Sequence, residues 1–561
     1  MRWYGGCAPD GPRIVPTGAR VLWNDPLLWT MGNWSPRLVR TVESPDARLA
    51  LFGSCSADME ELGRALAAAD LAGAVEAWAG SFTVVRLRRE NHGEGIVEVV
   101  TDAAGACPIY TVNAPDGVVW ASSSRALSSL VGGKVDTIWL ASYLWDKKAP
   151  VPGRSAWADV TPVPAGQRLV LGMNSLETEP WWSPVVRRYE EALPAVRLAL
   201  TEGVHARVEG VRSSTDVAGI DSSTLAVIAA RSGPIAGVTA HPSNVIEGGD
   251  LDYARSLTVP GLTGMLFPLD GRHLPFTPTE EPLPAADEPP PSAAVWAMLS
   301  AQLGKSAAIG AVCHLTGDGG DNLFLPAPTH LVDLARNRQW PRFVRDAFDW
   351  ARLRRQSPAP VIRAALRGDT HGVARPWLSR PRWLAADVPD PVRPDCDADT
   401  WLVQSIRTVA RAAHADTQLA DSLGVELHNP YFDGAVLGAV VSVPSWQRFS
   451  ARRYKPLLVD ACGDMLPELH RRRVTKGLFV GDFHRGLRAN LRCVLDRVDG
   501  RLSGLGIIDP VPLRESVHAA ALGAETVWAA LLPVLAAESW WEAVVSAPSI
   551  TWDTRPRVER S

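Results

Sequence analysis

The sequence predicts an α/β protein with a β-rich first part, a parallel sheet in the middle and a large helical part after it. Up to about residue 185, runs such as "FTVVRLRR" and "GIVEVVTD" are punctuated by Gly, Asp, Asn and Pro, a pattern typical of antiparallel strands. Helix-period segments such as "YEEALPAVRLALTEGVHARV" then alternate with short apolar runs such as "PIAGVTA", which indicates parallel strands with helical crossovers. After about residue 325 helical patterns dominate. We therefore predict two domains, residues 1–185 and 186–561.

Two compositional features add to this outline. The stretch "FTPTEEPLPAADEPPPSAA", Phe276 to Ala294, interrupts the alternating region. Because proline lacks a backbone donor and breaks helices and central strands, we expect an exposed loop there. The 22 tryptophans are unusually many, and we expect them to act as large packing residues. Stacking of some of them on a bound peptide is the alternative.

Charge and cysteine usage exclude several classes of protein. Lysine plus arginine number 57 against 61 acids, a formal charge of −4, which argues against a nucleic-acid or membrane-surface protein. No apolar run approaches the ~20 residues that span a bilayer, and "MRWYGGCAPDGPR" lacks the pattern of a signal peptide. The seven cysteines are scattered without a C-x-x-C pair, so we expect reduced thiols in a cytoplasmic protein.

The first chemical motif is "VRSSTDVAGIDSS", which predicts an apolar strand, a tight turn and a hydroxyl-rich helix start. A helix amino terminus presents unpaired N–H groups and partial positive charge, and so binds phosphate. A carboxylate beside phosphates is repelled unless a cation lies between them, which makes Asp221 a candidate Mg²⁺ ligand; the alternative is an Asp or Ser N-cap. The candidate phosphate-binding residues are Val217, Ala218, Gly219, Ile220, Asp221, Ser222 and Ser223.

The second motif, "CHLTGDGGDNLF", runs from an apolar strand into a glycine-rich turn that holds Asp318 and Asp321. Gly317 and Gly319 allow close approach to a polyanion and its metal. An Asp-Gly turn alone is also a common architectural device. Two such turns at the carboxyl ends of strands in an α/β region are where these sheets bind ligands. We therefore predict a nucleotide–Mg²⁺ site, with Asp221 and Asp321 as metal ligands.

A third segment, "RRVTKGLF", places Lys476 beside glycine between apolar residues. Most isolated lysines are solvated surface residues. Here the lysine is a candidate for the cation that the first turn lacks, supplied from far along the chain.

These segments resemble, in order along the chain, the signatures of the asparagine synthetase superfamily, whose members activate carboxylates as acyl-adenylates. The two turns are similar to its S-G-G-[LI]-D-S pyrophosphate loop and its S-G-[DE]-G-x-D-E motif, and "VELHNPYFDGAVL" and "TKGLF" are similar to two later signatures. "VTDAAGACPIY" and "VTPVPAGQRLVL" resemble the glutaminase half of these enzymes. The resemblance implies a glutaminase-like, Ntn-type α+β domain, then an adenine-nucleotide α-hydrolase-like synthetase domain that uses ATP and Mg²⁺.

Departures from the pattern concern the glutaminase half. Glutaminases of this type use a cysteine at the mature amino terminus, whereas Arg2 and Trp3 follow Met1 here. Cys7, after two glycines, would serve only after unusual processing. Without a thiolate, glutamine hydrolysis has no nucleophile. We therefore expect a vestigial domain and an amine other than ammonia.

Relatives without a working glutaminase include β-lactam synthetases, carbapenam synthetases and lasso peptide cyclases. "TKGLFVGDFHRGLR" and "DGRLSGLGIIDPVPLRESVHAAALG" resemble the lasso cyclases best. That resemblance implies adenylation of an internal Asp or Glu of a linear core peptide, then attack by the peptide's α-amine to close a lasso ring. It also implies two partners, a leader peptidase and a leader-recognition protein.

Catalytic roles follow from the resemblance residue by residue. Lys476 matches the family's lysine and would stabilise the tetrahedral intermediate and the adenylate phosphate. Asp318 stands where relatives place an acid or tyrosine near the amine, and would orient or deprotonate it. Val217 and Ala218 replace the usual serine and glycine, which removes one hydroxyl group from the phosphate loop, and Asn322 replaces a glutamate.

Two alternatives remain open at this stage. The first is another amide-forming ligase, similar to β-lactam synthetase or to an ammonia-using asparagine synthetase. The second is a catalytically silent protein that binds a precursor peptide, which only the altered Val217–Ala218 loop supports.

Overall fold

The computed structural model describes residues 1–89, 95–148, 151–173, 175–391, 393, 395–473 and 480–555. Lys476 therefore lies outside the described residues. Within them, a strand-rich first part is followed by a five-stranded parallel sheet and many helices. The predicted fold class is confirmed, whereas the boundary between residues 185 and 186 stays a prediction.

Two six-stranded antiparallel sheets form most of the first part. Their orders are β11-β9-β10-β1-β4-β3 and β13-β12-β8-β7-β6-β5. The strands of this part are β1 (Trp3–Cys7), β2 (Ile14–Pro16), β3 (Arg20–Asn24), β4 (Leu27–Met31), β5 (Val39–Glu43), β6 (Ala47–Cys55), β7 (Gly80–Arg89), β8 (Gly95–Val100), β9 (Ile109–Ala114), β10 (Gly117–Ala121), β11 (Thr161–Val163), β12 (Gln167–Leu171) and β13 (Leu176–Pro180). The helices of this part are α1 (Met59–Ala67), α2 (Leu71–Val75), α3 (Ser124–Ser128) and α4 (Thr137–Trp145).

The two sheets pack face to face through an apolar layer. Tyr4 of the first sheet stacks on Phe52 of the second with ring centroids 4.1 Å apart, and Trp120, Val85 and Leu169 belong to the same buried cluster. Helices α1 and α2 cover the outer face of the second sheet. The outer face of the first sheet is covered by α3, α4 and helices from the end of the chain, so the central strands of both sheets are covered on both faces.

The parallel sheet has the order β16-β15-β14-β17-β18. Its strands are β14 (Ser213–Asp216), β15 (Ile235–Pro242), β16 (Leu262–Leu269), β17 (Cys313–Leu315) and β18 (Glu426–His428). The chain leaves β14 toward β15 and β16 on one side and returns to β17 and β18 on the other. The strand order therefore reverses between β14 and β17, and ligands of such sheets bind at the carboxyl ends of the strands at this reversal.

Helices surround this sheet and fill the rest of the chain. The first of them, α5, covers the segment whose helical period is clearest in the sequence. The α-helices are α5 (Tyr189–Val208), α6 (Ile220–Ser232), α7 (Gly249–Ser256), α8 (Trp296–Ala308), α9 (Gly320–Phe324), α10 (His330–Arg336), α11 (Trp340–Arg354), α12 (Ala359–Leu366), α13 (Thr370–Ala374), α14 (Ala398–Asp421), α15 (Gly434–Val441), α16 (Ser445–Arg448), α17 (Pro456–Cys462), α18 (Glu468–Arg471), α19 (Val480–Ala489), α20 (Leu491–Val498), α21 (Arg501–Gly504), α22 (Pro510–Ala521) and α23 (Trp528–Ser546). Short 3-10 helices cover Gly271–His273, Ala293–Val295, Pro430–Phe432 and Gly463–Met465.

A last strand, β19 (Trp552–Thr554), pairs antiparallel with β2 of the first part. The indole of Trp552 lies 6.1 Å from those of both Trp3 and Trp29, measured between ring centroids. The end of the described chain therefore completes the packing of its beginning.

Strand β14 is polar, and the expectation of an apolar strand here is wrong. Ser213, Ser214 and Thr215 are all buried, and the strand pairs in parallel with β15 on one side and β17 on the other. Hydroxyl groups are tolerated in a sheet interior when they are hydrogen-bonded. Ser213 Oγ donates to the Val211 carbonyl at 2.9 Å, and Ser214 Oγ bonds the His314 ring.

The proline-rich stretch lacks regular structure over most of its length, as predicted, but its middle is buried rather than exposed. Asp287 is 3% exposed. Its carboxylate accepts hydrogen bonds from Ser123 Oγ at 2.7 Å and from Gln418 Nε2 at 2.7 Å. The segment is buried because polar partners on both parts of the chain satisfy its carboxylate, which composition alone does not reveal.

A hydrogen bond and an ion pair also join the first part to the region of the parallel sheet. The fully buried Arg207 of α5 donates to Asp433 through two bonds of 2.5 and 2.8 Å, and Ser81 of β7 donates to the same carboxylate at 2.7 Å. Arg2 pairs with Glu426 at 2.9 Å. These contacts fix the strand-rich part against the sheet that carries the candidate site.

Candidate active site

The two glycine-containing turns lie side by side where the strand order reverses. The first turn follows β14 and the second follows β17. A Cβ atom at Gly317 would lie 3.0 Å from the Ser222 nitrogen, and one at Gly320 would lie 2.5 Å from Asp221 Cγ. Any side chain at either glycine would therefore push the turns apart. The structure therefore places the two predicted motifs next to each other; that they form one nucleotide site stays a prediction.

The first turn is held by its backbone. The Val217 N–H donates to the Val238 carbonyl at 2.9 Å, and Thr239 Oγ1 donates to the Val217 carbonyl at 2.6 Å. The side chains of Val217 and Ile220 are buried in the core, so these residues offer only backbone groups to a ligand. Helix α6 begins at Ile220 with Gly219 as its N-cap. Asp221 is thus not the N-cap, and that alternative is wrong.

The two serines of the motif differ in their surroundings. Ser222 Oγ accepts from the Ala218 N–H at 3.1 Å and donates to the Gly219 carbonyl at 3.2 Å. The Ala218 amide, predicted to bind phosphate, is therefore bonded within the turn. Ser223 Oγ is fully buried and has no hydrogen-bond partner among the described residues. Of these two serines, only Ser222 therefore uses its hydroxyl group to hold the turn.

A buried lysine that the sequence prediction missed joins the two turns. Lys455 is fully buried, and its ammonium contacts Asp221 Oδ2 and, at 2.7 Å, Asp321 Oδ1. It precedes Pro456 at the start of α17, with a left-handed φ of 44°, a conformation that costs an L-residue energy unless its surroundings hold it. The two predicted metal ligands are therefore brought together around one cationic group.

The donor set at this point fits Mg²⁺ held jointly by protein and nucleotide. In nucleotide sites Mg²⁺ is bound by one or two carboxylates together with phosphates and water. Asp221 and Asp321 offer two such carboxylates, and the position on which both converge holds the Lys455 ammonium. Across the part of the chain that the structure describes, no group of three or more His, Cys, Asp or Glu residues is suited to hold a metal without such help.

The second turn is shaped by a polar contact and by a glycine. Thr316 Oγ1 donates to Asn429 Oδ1 at 2.8 Å and accepts from the Asp318 N–H at 3.0 Å. Gly319 has a positive φ of 90°, and a Cβ there would lie 2.6 Å from the Phe432 ring. Asp318 is exposed. It therefore lies at the protein surface beside this turn.

The family model for asparagine synthase matches residues 196–542, which is more than half of the chain and contains both turns and Lys455. The chain belongs to the asparagine synthase family. A comparison with curated proteins found no match. Membership indicates an ATP-dependent ligase that forms amide bonds.

Arg473, which shortly precedes the predicted catalytic Lys476 in the sequence, contacts the first turn of this asparagine synthase fold. Arg473 is buried, and its guanidinium contacts the Ala218 carbonyl and Asp250 of α7. It also lies 3.9 Å from the ring centroid of Tyr253. Lys476 itself lies outside the described residues, so its role stays a prediction.

A cavity of about 680 Å³ opens beside the second turn, where Asp321 and Asn322 form part of its lining. Lys147 and Lys148, from the strand-rich part, also line it. Burial, with the nearby Arg375 guanidinium, lowers the pKa of Lys148 to about 8. The aromatic lining residues are Trp145, Trp350, Trp377, Trp401, Phe449 and Tyr454.

Cys7 is not placed to act as a nucleophile in this fold. The residue lies in β1 and is 2% exposed, with Sγ 3.8 Å from the Ile14 carbonyl oxygen. Burial raises the pKa of its thiol to about 12, so it carries a proton at neutral pH. A thiol in that state is a poor nucleophile.

No helix among the described residues is long and apolar enough to cross a membrane.

Proposed function

We propose that this enzyme closes a macrolactam ring on a ribosomally made peptide, as lasso peptide cyclases do. The carboxylate of an internal Asp or Glu attacks the α-phosphorus of ATP, which forms an acyl-adenylate and releases pyrophosphate. The peptide's own α-amine then attacks the acyl carbon and AMP leaves. The peptide loses one water in total and gains one isopeptide bond.

The observation that carries this proposal is the aromatic cavity beside Asp321 and Asn322. Its volume of about 680 Å³ lies within the range of pockets that enclose sizeable organic ligands. Free aspartate, with two carboxylates and an ammonium, calls for a compact polar site. A wall of six aromatic side chains instead suits several residues of a peptide, since aromatic faces bury large apolar area.

The same cavity suggests why the strand-rich part is retained without a nucleophilic cysteine. Leu144 to Lys148 of that part form one side of the cavity. The two lysines offer positive charge to a substrate carboxylate. Cys7 is buried and protonated and so would not release ammonia from glutamine, and an amine carried by the substrate itself would take the place of ammonia.

The first chemical step is assigned to the two turns. Backbone N–H groups at the start of α6 would face the leaving pyrophosphate, where the helix end adds partial positive charge. Asp221 and Asp321 would hold Mg²⁺, which when bound supplies positive charge to the phosphates. Lys455 would keep the two carboxylates at their present separation.

The second step is assigned to the exposed side of the crevice. Asp318 would orient the peptide amine or accept its proton; an α-amine with a pKa near 8 needs little help to become neutral. Lys476 would stabilise the charge of the tetrahedral intermediate. The family resemblance adds a leader peptidase and a leader-recognition protein as partners, and a cytoplasmic setting where ATP is present.

The test is AMP release with Mg²⁺ and ATP against a panel of acceptors, with product masses recorded. The panel holds a leaderless precursor peptide, free aspartate with ammonia, and an N-carboxyalkyl amino acid. We expect AMP release with the peptide and a product lighter by one water. Asp221→Asn should reduce the rate about 100-fold or more, the size of effect seen when one group that stabilises transition-state charge is removed.

Asp252→Asn is the matched control, because Asp252 is an exposed acid on the neighbouring α7 and should leave the rate unchanged. Turnover with free aspartate or the N-carboxyalkyl amino acid, and not with peptide, would move the enzyme to the β-lactam synthetase or asparagine synthetase type. Silence with every acceptor would favour a protein that only binds a peptide.

A further inference from the structure

A polar relay lies directly beneath the first turn. Asp216, the last residue of β14, accepts hydrogen bonds at Oδ1 from Gln302 Nε2 and, at 3.1 Å, from His314 Nε2. The other ring nitrogen of His314, Nδ1, lies 2.8 Å from Ser214 Oγ and 3.4 Å from Ser306 Oγ. With its proton on Nε2, the imidazole donates to the carboxylate and accepts from the nearer serine, Ser214.

The burial of the relay is uneven. Ser214, Gln302 and His314 are 0, 8 and 1% exposed, whereas the Asp216 side chain is 30% exposed. Both hydrogen bonds go to Oδ1. Among the described residues no hydrogen bond reaches Oδ2. Three buried polar side chains thus fix the direction of one partly exposed carboxylate, and its second oxygen remains an acceptor.

The position of Asp216 Oδ2 restricts which part of ATP it can contact. Asp216 immediately precedes Val217 and the phosphate-binding turn, on the strand that borders the reversal of strand order. The phosphates of ATP carry only acceptors and negative charge, so they are repelled by a carboxylate. The nucleoside portion of ATP carries donors, namely the ribose hydroxyl groups and the adenine 6-amino group.

We propose that Asp216 is a nucleoside-recognition residue whose Oδ2 accepts a hydrogen bond from a ribose hydroxyl or from the 6-amino group of ATP. His314, Gln302 and Ser214 are positioning residues that act through it. This inference rests on the use of ATP in the proposed function, and it is independent of which amine or carboxylate the enzyme joins.

The experiment measures equilibrium binding of nucleotides to the full chain by calorimetry, without any acceptor. The ligands are ATP, inosine triphosphate, 2′-deoxy-ATP and 3′-deoxy-ATP, each with Mg²⁺. We expect the wild type to bind one of the three analogues about tenfold or more weakly than ATP, since a hydrogen bond to a charged group contributes that much. The inosine analogue identifies the 6-amino group, and the two deoxy analogues identify a hydroxyl group.

Asp216→Asn should lose this discrimination: its affinity for ATP falls to that for the discriminated analogue, whose affinity hardly changes. Asp216→Glu keeps the charge but displaces the oxygens, and should also lose it; this variant decides the matter if Asp216→Asn unfolds. A parallel fall in affinity for all four nucleotides, or discrimination unchanged in both variants, would overturn the proposal.

The two proposals fail in different ways. A wild-type protein that binds none of the four nucleotides would overturn both. Nucleotide binding with discrimination at Asp216, combined with no amide formation from any acceptor, would overturn the peptide cyclase alone.

Discussion

Two buried clusters each contain groups of opposite charge, and they differ in how far they are shielded from solvent. Arg207 and Asp433 form a one-to-one, two-bond pair in which both side chains are at most 1% exposed. Lys455 is equally buried, but its single ammonium serves both Asp221 and Asp321, and the Asp321 side chain is 38% exposed. One cluster is sealed from solvent, whereas the other reaches the surface through the Asp321 side chain.

The difference distinguishes scaffold from site. A sealed guanidinium–carboxylate pair has all its charge satisfied by protein, so it has nothing to offer a ligand. A cluster in which two carboxylates share one ammonium, and in which one of them reaches the surface, can contact a bound ligand. Buried acidic residues alone therefore do not mark the candidate site; the exposure of one of the carboxylates does.

The largest expected effect is on the sealed pair. Arg207→Met leaves the Asp433 carboxylate buried without its guanidinium, and should lower the free energy of unfolding by about 3–5 kcal/mol. Urea unfolding followed by circular dichroism measures this. Arg197→Met is the matched control on the same helix, because its pair with Asp464 is exposed and should change stability by about 0.5 kcal/mol or less. Equal effects in the two variants would contradict the comparison.

A smaller effect is expected at the open cluster. Lys455→Met should lower the free energy of unfolding by about 1–3 kcal/mol, because the two carboxylates it leaves are partly hydrated. Added Mg²⁺ should recover part of this loss, and raise the melting temperature of the variant more than that of the wild type. The exposed Lys305→Met is the control. A Mg²⁺ response identical in Lys455→Met and wild type would show that the carboxylates do not share one cation position.

Asp416 is a third buried acid, and a bound proton neutralises its carboxylate where the other two clusters use a cationic side chain. Asp416 makes no ion pair with any described residue and accepts hydrogen bonds from the Ser292 N–H at 3.1 Å and Oγ at 3.0 Å. Burial raises its pKa to about 7, and the charge of Asp318 contributes to the rise. The native state therefore keeps a proton that the unfolded state loses near pH 4.

Stability should accordingly fall as pH rises through this window. Asp416→Asn cannot ionise, so the wild type should lose about 1 kcal/mol per pH unit relative to the variant between pH 5 and 6.5. Urea unfolding at a series of pH values tests this, with the exposed Asp387→Asn as control. Asp318→Asn should move the window to lower pH. Parallel pH profiles for wild type and Asp416→Asn would refute the assignment.

Local patterns accounted for the fold class and for the convergence of the two turns. Strand, glycine turn and helix start are encoded within about twelve neighbouring residues, and topology then brings the carboxyl ends of β14 and β17 together. Lys455 was missed because "RRYKPLL" has the composition of a charged surface. The only local signal was a lysine directly before a helix-starting proline, followed by apolar residues.

Long-range contacts account for the other differences. Asp216 and His314 are 98 residues apart. The polar residues of β14 therefore do not indicate, from the local sequence, that His314 will be their hydrogen-bond partner. The burial of Asp287 depends on Gln418, 131 residues away. Burial of such groups is decided by whether a distant partner satisfies them, and that information is not local in the sequence.

Strands β2 and β19 are far apart in the sequence, so their pairing can form only after the ribosome has synthesised the long stretch of chain between them. Thr17 and Asp553, which are hydrogen-bonded beside this pairing, are 536 residues apart. At roughly 5–20 residues per second, the ribosome needs roughly 30 to 100 seconds between them. During that interval the indoles of Trp3 and Trp29 lack their contact with Trp552, so this part of the apolar face of the first sheet is uncovered. A ribosome stalled before residue 552 would therefore hold a chain whose two glycine-containing turns are already synthesised but whose first sheet can still bind wrong partners.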